Sequence, residues 1–140
     1  MYLRFASLDP SSAHALVPHG VFSSAYALIR SGEIDATQEQ SLRELLGWFC
    51  AYLPIPRDPR IGDHALFWLK DDAEPSARKM WDLVTLLRLC DRDVQMIKSE
   101  YPGRIVYEDR YQVAAIPRRG TLRGVEGQQI VVLRSLRINS

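Results

Sequence analysis

The chain has 140 residues, of which 46% are hydrophobic and 25% are charged, as in an ordinary globular protein. Its 18 basic and 17 acidic side chains give a formal net charge of +1. These values exclude an intrinsically disordered chain, a collagen-like repeat and a uniformly basic, histone-like protein. The length fits a single domain.

The first residues do not have the pattern of a signal peptide, because Arg4 precedes no sustained apolar run and Asp9-Pro10 comes early. No apolar run approaches the roughly 18 residues that cross a bilayer. We therefore expect a cytoplasmic protein with no membrane partner. Cys50 and Cys90 lie in helical apolar patterns and are expected to be buried thiols of a reducing compartment.

The first elements are a strand and a helix. Residues 2–8 alternate so that Leu3 and Phe5 share one face, which predicts a strand. After a loop that contains two prolines, apolar residues recur at helical spacing over about 20–31, and Gly32 is a suitable C-cap.

The second helix has the clearest signals in the chain. Thr37-Gln38-Glu39-Gln40 fits a capping box, in which a hydroxyl and an amide three residues later bond reciprocally to the backbone. Pro54 ends the helix, because proline cannot continue its hydrogen-bond ladder. The apolar stripe between them consists of Leu42, Leu45, Leu46, Phe49 and Leu53.

A short apolar run and a third helix follow a proline-rich loop. Periodicity does not decide between a strand and a buried helical turn for residues 65–69. The third helix is predicted to begin near Glu74-Pro75-Ser76, since proline is favoured in the first helical turn. Its apolar stripe, which we expect a sheet to cover, consists of Met80, Leu83, Val84, Leu87 and Cys90.

From residue 94 onwards the apolar period changes to two, which predicts strands. They are expected at Val94–Ile97, Ile105–Tyr107, Tyr111–Ile116 and Ile130–Leu133. Short connections favour a meander. The predicted fold class is α+β, with about three helices packed on a mainly antiparallel sheet of four to five strands. Residues 1–117 form the single compact domain, and 118–140 form a basic C-terminal segment that can supply an added strand.

Seven segments carry a resemblance to a known family. They are Trp48-Phe49, Leu53-Pro54-Ile55-Pro56, Phe67-Trp68-Leu69-Lys70-Asp71, Met80-Trp81-Asp82-Leu83-Val84, Leu86-Leu87-Arg88, Pro102-Gly103-Arg104-Ile105-Val106-Tyr107-Glu108-Asp109 and Tyr111-Gln112-Val113. Together they resemble a family of small uncharacterised bacterial proteins over residues 20–116. The resemblance implies one compact bacterial domain, and it brings no activity and no catalytic residues.

Two groups of side chains are candidates for a catalytic or metal-binding site. His14, His19 and His64 lack the spacing of a two-histidine phosphoesterase or of a helical metal site, so surface loops are expected for them. Asp71, Asp72 and Glu74 suit a metal-dependent phosphodiesterase, the third candidate function. Adjacent aspartates point apart, however, and acidic residues also stabilise a helix N-terminus through its dipole. We predict no catalytic residue, no metal ligand and no cofactor.

The C-terminal segment carries the asymmetry of charge. Residues 118–140 hold five arginines and one glutamate, which gives +4, whereas residues 1–117, with 13 basic and 16 acidic side chains, carry −3. Arginine favours bidentate contact with phosphate or carboxylate groups. The candidate binding residues are Arg118, Arg119, Arg123, Arg134 and Arg137.

These features favour a non-enzymatic interaction module that binds a protein or ribonucleoprotein partner, as a regulatory or inhibitory protein of bacterial or mobile-element origin. The alternative is a nucleic-acid-binding protein that uses the arginine-rich segment. The strand near residues 130–138 would join the domain's own sheet, the edge of a partner's sheet, or its copy across a homodimer. The sequence leaves these alternatives open, and an enzymatic activity with them.

Overall fold

A computed structural model describes residues 1–7, 20–53, 56, 58–59, 61–62, 64–117 and 128–136. The elements are β1 (Tyr2–Ser7), α1 (Val21–Ser31), α2 (Ala36–Tyr52), β2 (Leu66–Lys70), α3 (Ser76–Leu89), β3 (Val94–Ser99), β4 (Arg104–Glu108), β5 (Gln112–Ile116) and β6 (Gln128–Leu133). The predicted α+β class is confirmed, with three helices and six strands in this part of the chain. The sheet is therefore slightly larger than the four to five strands expected.

The six strands form one antiparallel sheet in the order β4-β5-β2-β1-β3-β6. The predicted meander is wrong, because β3 and β4 follow each other in the chain but have β1, β2 and β5 between them. The physical reason lies in β1, whose Leu3, Phe5 and Ala6 are all buried. A strand with buried apolar residues on both faces is favoured in the middle of a sheet, and β1 lies between β2 and β3.

The helices cover one face of the sheet. The strand register places Leu3, Phe5, Leu69, Val94 and Met96 on this face. They pack in one core with the buried helix residues Leu28, Leu42, Leu46, Phe49, Met80, Leu83, Val84 and Leu87. The apolar stripes read from the sequence for the second and third helices are thus the stripes that face the sheet and each other.

The opposite face of the sheet holds a second apolar cluster. Trp68, Ile97, Val113 and Ala115 meet there, and the register brings them to the same side. Residues 65–69, which the sequence left undecided, therefore contain a strand. Trp68 and Leu69 point to opposite faces and are 1% and 5% exposed, and burial on both sides explains why the run shows no polar alternation.

Helix α2 begins at a capping box two residues before the predicted one. The Gln38 N–H donates to Asp35 Oδ1 at 2.7 Å, and the Asp35 N–H donates to Gln38 Oε1 at 3.1 Å. The prediction of Thr37 as the cap is wrong, because Asp35-x-x-Gln38 satisfies the same pattern. The carboxylate of Asp35 is also favoured at the positive end of the helix dipole.

The two cysteines are free thiols in different surroundings. Cys90 is buried at the end of α3, and this burial raises the pKa of its thiol. Cys50 is exposed, so its predicted burial is wrong. It lies on the solvent side of α2, where its Sγ is 4.0 Å from the hydroxyl of Tyr26.

Truncating the core stripes tests the assignment of helix faces. Leu46→Ala and Leu87→Ala should each lower the free energy of unfolding by about 2–5 kcal/mol, because each leaves a cavity in the core. Leu89→Ala, at a position on α3 that is 49% exposed, should cost less than about 1 kcal/mol. Urea denaturation measures all three. The assignment fails if Leu87→Ala costs no more than Leu89→Ala.

Candidate interaction surface at the β6 edge

The two outer strands of the sheet differ in how their edges are protected. β4 carries a charge at each end, Arg104 and Glu108, and its pairing with β5 is interrupted between Ile105 and Tyr107. Charges and bulges are the devices by which natural edge strands avoid pairing with other chains. β6 has neither, because residues 128–133 contain no charged side chain and pair with β3 in an unbroken register.

Apolar side chains are exposed on both faces of β6. Ile130 and Val132 lie on the helix-free face and are 39% and 40% exposed, and Val131 lies on the helix-covered face and is 44% exposed. Single exposed apolar residues are normal on a protein surface. Three in succession on an edge strand are typical of a strand that pairs with a further one.

The peptide groups of β6 point alternately to β3 and to the open edge. Just beyond the strand, the Ser135 N–H donates to Asp93 Oδ1 at 2.6 Å, on the side of β3. Residues two apart in a strand point the same way, so Val131 and Leu133, like Ser135, direct their N–H and C=O groups to β3. Ile130 and Val132 direct theirs outward. No strand of the described part of the chain lies along that outer edge.

An anchor segment, Arg134 to Leu136, fastens the end of β6 to α3. The Arg88 guanidinium Nε donates to the Arg134 carbonyl at 2.8 Å, and the Leu136 N–H donates to the Arg88 carbonyl at 2.8 Å. The Ser135 hydroxyl is 3.0 Å from Asp91 Oδ1. These bonds fasten the C-terminal end of β6 to the end of α3, so the outer edge of β6 is held in a fixed position.

Of the five arginines predicted to bind a partner, the structure describes one. Arg118, Arg119, Arg123 and Arg137 lie outside the described residues. Arg134 directly follows β6, its side chain is 77% exposed, and its guanidinium is 3.6 Å from Asp93 Oδ2. An ion pair this exposed contributes less than about 1 kcal/mol to stability, so Arg134 is accessible to a partner at the end of the open edge.

The sequence predicts that the C-terminal strand pairs with the domain's own sheet, with a partner's sheet edge or with a second copy, and it assigns the contact to arginines. The apolar side chains of the edge are not among its candidate residues. The run from Ile130 to Leu133 was recognised as a strand. The strand contains no lysine, no proline and no charge. This absence indicates an unprotected edge only once the strand is known to lie at the edge of the sheet.

A second surface feature is a cavity of about 260 Å³ between the end of α2 and the β4–β5 turn. Asp109 in its wall accepts hydrogen bonds from the Tyr111 and Gln112 N–H groups, at 2.8 and 2.9 Å, and from the Tyr107 hydroxyl at 2.9 Å. Burial opposes the charge of Asp109, but these bonds outweigh it and lower the pKa of the carboxyl group. The same contact raises the pKa of Tyr107. The carboxylate thereby closes the hairpin turn.

The acidic residues that the sequence offers as a metal site are not brought together. Asp71, Asp72 and Glu74 are exposed. No group of three or more His, Cys, Asp or Glu side chains in the described ranges is arranged to hold a metal ion. Nearby, Lys70 Nζ lies 2.7 Å from Glu108 Oε2, and this hydrogen bond raises the pKa of the lysine. His64 is exposed, and His14 and His19 lie outside the described residues.

None of the helices within the described ranges combines the length and the apolar character needed to cross a membrane. Comparison with protein-family models, with curated proteins and with solved structures finds no match for the chain. The resemblance to small bacterial proteins therefore stays a prediction, and the function has to be argued from the surface of this molecule.

Removing Asp93 tests the anchoring of β6. Asp93→Ala should lower the free energy of unfolding by about 1–2 kcal/mol, because the Ser135 N–H loses a charged acceptor that is itself about one-third exposed. Asp82→Ala, which removes an exposed carboxylate from α3, is the control and should change stability by less than about 0.5 kcal/mol. Equal effects in urea denaturation would show that the anchor does not hold the strand.

Proposed function

We propose that the chain is a non-enzymatic interaction module of the bacterial cytoplasm that binds a protein partner, alone or within a ribonucleoprotein, by accepting an extended strand along β6. The observation that carries this proposal is the open β6 edge, neutral over residues 128–133 and apolar on both faces. In strand addition, the outward N–H and C=O groups supply affinity and the alternating side chains supply specificity.

The rigidity of the edge supports this use. β6 is paired with β3 at all six of its residues, and the anchor segment fixes its end to α3. A binding strand that is already ordered does not have to lose conformational entropy when a partner arrives, so more of the contact energy appears as affinity. A regulatory or inhibitory protein that blocks its target by docking needs such a preformed surface.

The arginines take a secondary part in this proposal. Arg134 stands at the end of the open edge with most of its side chain exposed, where it can donate hydrogen bonds to a polar side chain of the partner strand. Binding of nucleic acid through the arginine-rich segment is the alternative. The two are separated by salt, because phosphate contacts weaken steeply as salt rises and an apolar strand contact does not.

Capture experiments with the full chain test the proposal. The wild type, Ile130→Lys and Ile105→Lys are immobilised and exposed to an extract of the producing cells, and retained protein and nucleic acid are identified. Ile105→Lys is a matched control, since Ile105 is 41% exposed on the same face at the opposite edge of the sheet. Ile130→Lys should lose the retained protein, because the lysine places an unpaired charge in the strand contact.

Retention by the wild type and by Ile105→Lys should persist from roughly 0.1 M to 0.5 M salt. Retention of the same protein by Ile130→Lys would contradict binding at the β6 edge. Nucleic acid that is retained at low salt and released at high salt would instead establish the alternative.

A further inference from the structure

We propose that the strand received by β6 is β6 of a second copy of this chain, so that two sheets join antiparallel across a two-fold axis at Val131. This inference rests on the proposed function, since it names the partner of the same edge. It adds one requirement, that β6 be complementary to a second β6 running antiparallel to it, in backbone hydrogen bonds, side chains and charge.

Backbone hydrogen bonding fits a two-fold axis at Val131. Ile130 and Val132 direct their N–H and C=O groups to the open edge, by the alternation fixed at Ser135. Antiparallel pairing about Val131 sets Ile130 of one copy opposite Val132 of the other, and the reverse. Each of these is a hydrogen-bonded pair that exchanges two bonds, so the outward groups of both residues are satisfied.

Side-chain character is symmetric for the residues on either side of Val131, which are both apolar. Counting outward from Val131, Ile130 meets Val132, Gln129 meets Leu133 and Gln128 meets Arg134. The three residues at the centre are the ones that are 39–44% exposed in the single chain. Pairing therefore covers apolar side chains on both faces of the joined sheet, and the polar side chains fall towards the ends.

Electrostatics do not oppose the pairing. β6 has no charge of its own, and the first charged residue beyond it, Arg134, faces the neutral Gln128 of the second copy. The two Arg134 residues are separated by six residues of strand, roughly 20 Å, which exceeds the Debye length of about 8 Å at physiological salt. A partner strand of another protein would have to match the same neutral, apolar pattern, and β6 itself already does.

The opposite edge shows why this contact does not extend into a fibre. β4 has charged ends and an interrupted register, and Glu108 is held by Lys70 at 2.7 Å. Pairing at β6 alone joins two copies and leaves the β4 edges outermost. The assembly closes at a dimer, as an isologous interface requires.

Sedimentation of the full chain measures the dimer. The sedimenting mass of the wild type should rise towards twice that of the 16.0 kDa chain as its concentration is raised to about 100 µM. Ile130→Lys should raise the dimer dissociation constant by at least about tenfold, because two lysines then lie close to the axis. Ile105→Lys should sediment as the wild type does, and circular dichroism confirms that both variants are folded.

A cysteine at the axis tests the register. Val131→Cys, in a Cys50→Ser background, should form a disulfide-linked dimer under mild oxidation, since Cα atoms of a non-hydrogen-bonded pair lie about 4.5 Å apart. Ile105→Cys in the same background is the control and should stay monomeric on a non-reducing gel.

The outcomes separate this inference from the proposed function. A wild type that is monomeric at every concentration overturns the second copy as partner, and the proposed function survives if extract capture is still lost in Ile130→Lys. A dimer unaffected by Ile130→Lys overturns the β6 contact between copies, and extract capture alone then decides the proposed function. A dimer that is weakened by Ile130→Lys but not linked through Val131→Cys overturns the axis at Val131.

Discussion

β3 holds the sheet together, because it is paired along both edges and buried on both faces. β1 lies on one side of it and β6 on the other, and each is in register over six residues. Val94 and Met96 face the helices, and Ile97 joins the cluster on the opposite face. Buried peptide groups must be hydrogen-bonded, and those of β3 are bonded to β1 on one side and to β6 on the other. The peptide groups of β6 that point away from β3 are the ones that still need partners.

Within the described residues, β4 and β6 both lack a neighbouring strand on their outer side, but only the β6 edge is unprotected. At β4, charge and an interrupted register discourage further pairing. At β6, a neutral apolar strand is locked to α3 through Arg88 and to the start of β3 through Asp93. Fixing a strand in place without protecting its edge favours association over solubility. We interpret this combination as the structural basis of an interaction module.

Local patterns predicted the helices well. The stripes that contain Leu46 and Leu87 follow from helical periodicity alone, because burying such a stripe is the main source of helix stability in a protein. The cap of α2 was placed two residues late, since Asp35-x-x-Gln38 and Thr37-x-x-Gln40 fit one pattern and only the backbone conformation decides between them.

Local sequence patterns do not predict which strands pair when they are far apart in the chain. β1 pairs with β3 over separations of 87 to 97 residues, and no turn signal indicates such a contact. The sequence predicts the β6 strand and leaves open whether it pairs with the domain's sheet, a partner's edge or a second copy, and only the structure places it beside β3. The candidate binding residues of the sequence are the arginines, of which Arg134 lies in the described part of the chain, beside the β6 edge.

Residue-resolved hydrogen exchange tests the central claim, that the outer edge of β6 is open in the single chain and closed by a partner strand. In dilute protein, the Val131 and Leu133 amides should be protected by β3, and the Ile130 and Val132 amides should exchange freely. Raising the protein concentration, or adding a captured partner, should slow exchange at Ile130 and Val132 selectively. Protection of these two amides at every dilution would contradict the claim, because the edge would then be covered by the chain itself.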